Sequence, residues 1–198
     1  MAELLSVDSV SKFYGIGEAK IAALKSVSLK ISQGEFTAFA GSSGSGKTTL
    51  LNLIGGLDHP SEGKISLNGT SLTDLSSREL ADLRRKNLGF VFQTFNLLPV
   101  LSGLENVEYP LLRLGFKKSE IVSLAREALA RVGLEKVMHH RPNQMSGGQR
   151  QRVAVARAMV HKPQIVLADE PTANLDKKTA GEIISLMRDL NRERGVTF

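Results

Sequence analysis

The chain has 198 residues, of which 41% are hydrophobic, 23% charged and none cysteine, and its formal net charge is +6. That length suits one α/β core, while disulfides and thiolate metal sites are excluded, and neither a membrane span of roughly 20 apolar residues nor an N-terminal secretion signal is present, as expected of a soluble chain in a reducing cytoplasm. The positive balance suits anionic lipid or a polyanionic nucleotide, whereas the basic clusters Arg84, Arg85, Lys86 and Lys117, Lys118 are short and lack interleaved aromatics, so no nucleic-acid surface is expected.

Val27, Leu29 and Ile31 alternate with polar residues as a half-buried strand ending at Gln33-Gly34. Glu35 to Ala40 reads as a second, more apolar strand running into GSSGSGKTT, after which Leu50, Leu51, Leu53 and Ile54 continue as a helix ending at Gly55-Gly56. Lys64 to Leu67, followed by Asn68-Gly69, reads as a strand entering a tight turn of an antiparallel layer. Ser77 to Arg85 is expected to be helical and Leu88 to Phe92 a strand. From Leu101 to Arg131 the pattern is helical, with Ser119 as an N-cap. Gln149 to His161 is a helix with an apolar face of Val153, Ala156 and Val160, stopped by Lys162-Pro163. Ile165 to Ala168 has the composition of a strand buried on both faces of a parallel sheet. Thr179 to Arg194 forms the last helix, and Val196 to Phe198 begins a further strand.

Gly41 to Thr48, GSSGSGKT, fits G-x-x-x-x-G-K-[ST] between a strand and a helix, the setting that motif requires. Its glycines let the amides of Gly41, Ser42, Ser43, Gly44, Ser45 and Gly46 converge on phosphate, and the positive end of the helix adds to the attraction. Lys47 supplies charge to the β and γ phosphates, Thr48 a hydroxyl for Mg²⁺, and Thr49 a further phosphate contact. A nucleoside triphosphate is the expected ligand. Asp169, at the end of an apolar strand, is placed to hold Mg²⁺. Glu170, one residue on, is placed to accept a proton from attacking water, with Pro171 fixing the turn.

Together these motifs resemble the ABC ATPase family over essentially the whole chain. Ser146, Gly147, Gly148 and Gln149 are similar to its signature motif, with Met145 where leucine is commoner. Gln93, in GFVFQTFNLLP, is similar to the Q-loop glutamine, which touches Mg²⁺ and senses a transmembrane partner. Asn174-Leu175-Asp176 matches the D-loop, and Tyr14 matches the aromatic that stacks on adenine, although Phe13 or a core role could also account for an aromatic there. The resemblance implies an α/β fold: a P-loop NTPase (RecA-like) core with an N-terminal antiparallel β layer and an inserted α-helical subdomain over about 94–160. It implies a single nucleotide-binding domain over 1–198, ATP and Mg²⁺ as cofactors, and Glu170, Lys47 and Gln93 as the residues of catalysis. A second copy would pair head to tail, so that each P-loop nucleotide meets the other copy's Ser146 to Gln149.

LNLIGGLDHPSEGKI (51–65), the stretch 80–112 and LADEPTANLD (167–176) resemble the lipoprotein-releasing and macrolide-export branch. There the segment from Phe95 to Tyr109, with Asn96, Leu97, Leu98, Pro99 and Glu105, would dock a membrane permease, placing the protein peripherally on the cytoplasmic face of the inner membrane; Leu97, Leu98 and Leu101 could instead be core. The family's switch-region histidine lies beyond Phe198, and His59, His139, His140 and His161 do not match it. A C-terminally incomplete domain with weak hydrolysis is therefore expected. Two other readings are a soluble ABC protein without a permease, which usually has tandem nucleotide domains or a coiled-coil insertion, and a silent ATP-binding regulatory subunit, against which Glu170 argues.

Overall fold

The computed structural model describes residues 2–15 and 20–198 and divides into two compact units, 1–84 with Thr197 and 85–196 with Phe198.

The first unit is built on a four-stranded antiparallel sheet in the order β2-β1-β3-β4, with β1 Glu3–Tyr14, β2 Ile21–Ser32, β3 Glu62–Leu67 and β4 Thr70–Ser71. The expected antiparallel layer is thus present. Its β3–β4 hairpin turns through Asn68 and Gly69, both at positive φ (49° and 77°), the geometry that Asn-Gly favours in a two-residue hairpin. Leu5, Val7 and Val10 are buried. Strict alternation fails in β1 because the register shifts between Val7 and Val10, with Ser9 at φ 51°. A bulge of this kind turns the following side chains to the other face. Helix α1, Lys47–Ile54, buries Leu50, Leu53 and Ile54.

Helix α2, Ser77–Asn87, carries the chain from one unit into the next. In the second unit β5 (Leu88–Val91) pairs in parallel with β6 (Ile165–Ala168), Leu88 opposite Ile165 and Val91 opposite Ala168. Both strands are nearly continuous in buried residues, as a strand covered on two faces requires. Helices α3 (Gly103–Leu114), α4 (Lys118–Arg131) and α5 (Gly147–Met159) share one apolar core that includes Val107, Leu111, Leu129, Met145, Val153 and Ala156. Each fully buried leucine in it contributes about 1.5–3 kcal/mol. Helix α6, Lys177–Arg194, closes the chain and ends at Gly195 in the left-handed conformation.

The structure corrects four sequence expectations. Residues 35–40 form no strand, and Thr37, Ala38 and Ala40 are exposed; an apolar run specifies extended backbone but not a ladder partner. Leu101 to Arg131 is two helices, because Gly115 at φ 80° ends α3. The N-cap of α4 is Lys117, not Ser119, since the Glu120 carboxylate reaches back to accept from the Lys117 N–H at 3.1 Å. Val196 to Phe198 supplies only a single bridge residue, Thr197, whose hydroxyl accepts from the Gly34 N–H at 2.9 Å.

Candidate phosphate loop, signature turn and carboxylate strand end

In the first unit, Gly46 caps α1 at φ 89°, and a Cβ there would stand 2.6 Å from the Ala23 carbonyl oxygen and 2.7 Å from Leu24 Cδ2. Only glycine fits both the backbone angle and the close approach. Ser42, Ser43, Gly44 and Ser45 are exposed, and Gly44 has open space where a side chain would be. Lys47 Nζ donates to the carbonyls of Gly41 and Ser42, each at 2.9 Å, which folds its charge over the loop. First-turn amides of a helix have no intrahelical acceptor, so Lys47 and Thr49 begin α1 with N–H groups that suit an anion. The glycine cradle and ammonium thus fit the triphosphate expected from the motif.

Tyr14 is 44% exposed, and its hydroxyl donates to Asp58 Oδ2 at 2.8 Å. Lys12 Nζ donates to Asp58 Oδ1 and to the His59 carbonyl, both at 2.7 Å, and lies 4.9 Å from the Tyr14 ring centroid. Burial and then the Asp58 carboxylate raise the Tyr14 pKa, so the phenol stays protonated and keeps donating. Burial of Asp58 works against its charge, but hydrogen bonds from Lys12, Tyr14 and the His59 N–H outweigh it and lower the pKa. Phe13 has Lys20 Nζ 4.2 Å from its ring centroid. Sequence reading found Tyr14 but not Lys12 and Asp58, whose pairing depends on β1 lying beside the turn at 58–61.

In the second unit, Ser146 is the N-cap of α5: its Oγ accepts from the Gln149 N–H at 3.2 Å, and its own N–H donates to Gln149 Oε1 at 2.9 Å. This reciprocal capping box occupies Gln149 and leaves Gly147 and Gly148 as first-turn amides without an intrahelical acceptor. A Cβ at Gly147 would meet Leu175 Cδ2 at 3.2 Å, and one at Gly148 would meet Thr179 Cγ2 at 2.6 Å. Glycine here lets the 174–179 segment press against the turn. Met145 lies in the helical core, so its difference from leucine is absorbed by packing.

Asp169 follows β6 and its N–H donates to the Val91 carbonyl at 2.9 Å, extending the β5–β6 pairing by one bond. Glu170 is exposed and held at φ 45°, a left-handed conformation that costs a non-glycine residue on the order of 1 kcal/mol or more. Asp176 caps α6 by accepting from the Lys178 and Thr179 N–H groups at 3.0 Å, and hydrogen bonds from Thr179 hold its pKa low. Asn174 Nδ2 donates to the Gln93 carbonyl at 3.0 Å, which joins the segment after Glu170 to the loop after β5. Gln93 itself is exposed.

That loop divides its leucines. Leu97 packs against the helical core, whereas Leu98 (40%) and Val100 (72%) are exposed, as are Tyr109, Leu112 and Phe116. Glu105 is engaged in the cap of α3, accepting from the Ser102 N–H and hydroxyl at 2.7 and 2.8 Å. Asn106, buried on the apolar face of α3, accepts from the Leu98 N–H at 2.8 Å and donates to the carbonyls of Leu98, Leu101 and Ser102. An asparagine at a core-facing helical position was the available signal for it. Arg157, half-buried on α5, donates to the carbonyls of Phe95 and Asn96, and burial lowers its pKa while the guanidinium remains a cation.

The profile of the ABC transporter family matches residues 24–173. An uncharacterized ABC transporter ATP-binding protein of Thermotoga maritima is 48% identical over 198 residues, 100% of this chain and 84% of its own length. The ABC transporter ATP-binding protein YtrE of Bacillus subtilis is 46% identical over 199 residues, 98% of this chain and 86% of its own. Among solved structures, the ATP-binding cassette MJ0796, in a dimeric post-hydrolysis state bound to ADP and Pi, is similar with a TM-score of 0.89 at 47% identity, covering 98% of this chain and 85% of that one. A second dimeric structure of MJ0796, described as a bacterial ABC transporter cassette, has the same TM-score of 0.89. These matches show that the chain belongs to the ABC transporter family, as one of its ATP-binding, ATP-hydrolysing cassettes.

Proposed function

We propose that this chain powers a membrane transporter of the lipoprotein-releasing and macrolide-export kind, working as a pair of copies joined head to tail through ATP. The capped turn at Ser146 carries this reading: its box satisfies Gln149 and leaves the Gly147 and Gly148 amides without an intrahelical acceptor, which suits an anion such as a second copy's nucleotide. The dimeric state of the cassette MJ0796 gives it further support. Residues 1–198 act as one nucleotide-binding domain, with 94–160 as its helical subdomain.

Within each copy, the amides of Gly41 to Gly46 and the Lys47 ammonium hold the triphosphate, with Thr49 as a further donor. Tyr14, an exposed aromatic, stacks on the base. Thr48 in the first unit and Gln93 and Asp169 in the second are each candidate Mg²⁺ ligands, and the ion would supply Lewis-acid stabilisation of charge on the phosphates. Among the described residues no group of three or more His, Asp or Glu could hold a metal ion, so such an ion would draw its remaining ligands from phosphate and water. Glu170 takes the proton of the attacking water.

Mixing two disabled copies tests the pairing. Lys47→Ala removes one phosphate loop and Ser146→Glu sets a carboxylate against the opposing γ-phosphate, so neither forms an ATP-dependent dimer alone. Together, each in a Glu170→Gln background, they leave one intact composite site, and size-exclusion chromatography with ATP should show a dimer. A mixture that stays monomeric would rule out the head-to-tail arrangement.

The exposed Leu98, Val100 and Tyr109 side chains are the permease contact, which places the protein peripherally at the cytoplasmic face of the membrane. Among the described residues no helix is long and apolar enough to cross a membrane. Val100→Asp is expected to lower a reconstituted permease's stimulation of ATP turnover by about tenfold, the cost of desolvating one unpaired carboxylate in an apolar contact, with ATP affinity unchanged. Equal stimulation by the two proteins would place the contact elsewhere.

A further inference from the structure

Helix α5 carries two arginines two turns apart, and both reach the same tight turn after Gln93. Arg157 donates through Nη2 to the Phe95 carbonyl at 2.9 Å and through Nη1 to the Asn96 carbonyl. Arg150 places its guanidinium 5.1 Å from the Phe95 ring centroid, while its Nε is buried without a hydrogen-bond partner. The turn they grip is an unusual one. Phe95 and Asn96 both have left-handed φ, 63° and 47°, and neither is glycine. Local bonds hold the turn as well: the Asn96 N–H donates to the Thr94 carbonyl at 2.7 Å, and the Thr94 hydroxyl to Asn96 Oδ1 at 2.8 Å.

Two consecutive left-handed residues aim their carbonyls at one fork, and a planar guanidinium answers both at once where an ammonium could not. A half-buried cation held by carbonyl dipoles rather than a carboxylate is costly to desolvate, so the geometry must be kept for the contact to stand. The same helix begins at Ser146, and a packed helix transmits displacement along its axis as a rigid body.

We propose that Arg150 and Arg157 are positioning residues that couple the Ser146 end of α5 to the turn at 93–96, so that engagement of a second copy's nucleotide at Ser146 sets the conformation of the loop carrying Leu98 and Val100. The proposal rests on the head-to-tail reading above. It assigns neither arginine a contact with nucleotide.

Amide hydrogen exchange in a Glu170→Gln background, chosen to hold ATP, separates the two. In that parent, ATP is expected to form a dimer and to slow exchange both at 146–150 and at 93–101. With Arg157→Met added, the dimer still forms and 146–150 is still protected, but the ATP-dependent protection at 93–101 falls by about fivefold or more, the lower end of typical coupling between sites. Arg157→Lys, which keeps the charge but not the fork, should fold normally and lose most of the same response. Should Arg157→Met fail to fold, Arg157→Lys and Arg150→Met, which removes only the contact to the Phe95 ring, are read in the same way. A dimer whose 93–101 segment responds fully to ATP in these variants overturns the coupling alone. A parent that forms no dimer with ATP overturns the head-to-tail reading and the coupling with it.

Discussion

Replacing Glu170 by glutamine is expected to lower the ATP turnover number by about 10²–10⁴, the contribution of a positioned general base, and to leave a dimer that persists in ATP. Glutamine keeps the shape of the side chain and its ability to orient water, but it cannot take the proton. The position is exacting because Glu170 is held at φ 45°, with its carbonyl accepting from the Ala173 N–H at 3.2 Å, so the backbone rather than the side chain fixes where the carboxylate starts. Phosphate release measures the first effect, and size-exclusion chromatography in ATP measures the second without requiring a fast parent enzyme. Undiminished turnover would remove Glu170 from the role of base.

The largest effect on stability is expected at Gly89. A Cβ there would lie 2.3 Å from the Ala158 carbonyl oxygen and 3.0 Å from its carbon, so β5 touches α5 backbone to backbone. No rotamer change can relieve that contact, and Gly89→Ala must push the helix off the strand. Overpacking of this kind costs about 3 kcal/mol, a fall in Tm on the order of 6–12 °C for a chain of this size. Gly181→Ala is the control: Gly181 lies in α6 with nothing within 4 Å of a built Cβ, and the change is expected to stabilise by about 0.5–1 kcal/mol. Thermal unfolding followed by circular dichroism distinguishes the two, and equal melting of Gly89→Ala and the parent would show that the approach relaxes freely.

The parts legible in the sequence were those written in local chemistry. The glycine loop, the Asn-Gly hairpin, the signature turn and the apolar strand before Asp169 each specify their own backbone, and each stands where the pattern put it. Elements whose identity depends on distant partners were less legible. The bulge at Ser9 broke the alternation that would have announced β1, and residues 35–40 have a strand's composition without forming one. Glu120 displaced Ser119 from the start of α4 because a carboxylate three residues inside a helix can satisfy an amide at its threshold. Of the candidate residues, Tyr14, Lys47, Gln93, Ser146, Asp169 and Glu170 stand in recognisable motifs. Lys12, Asp58, Asn106 and Arg157 do not, since each acts on a segment from 4 to 62 residues away along the chain.

Asn106 has one more consequence. A single buried amide takes up one N–H and three carbonyls from the segment 98–102, so the path of that segment is settled from beneath while Leu98 and Val100 stay outside. A partner meeting those side chains encounters a segment that moves as one ordered piece, and little conformational entropy is lost on contact. Association is then governed by orientation and encounter rather than by folding of the loop, which favours repeated engagement and release over a single tight embrace.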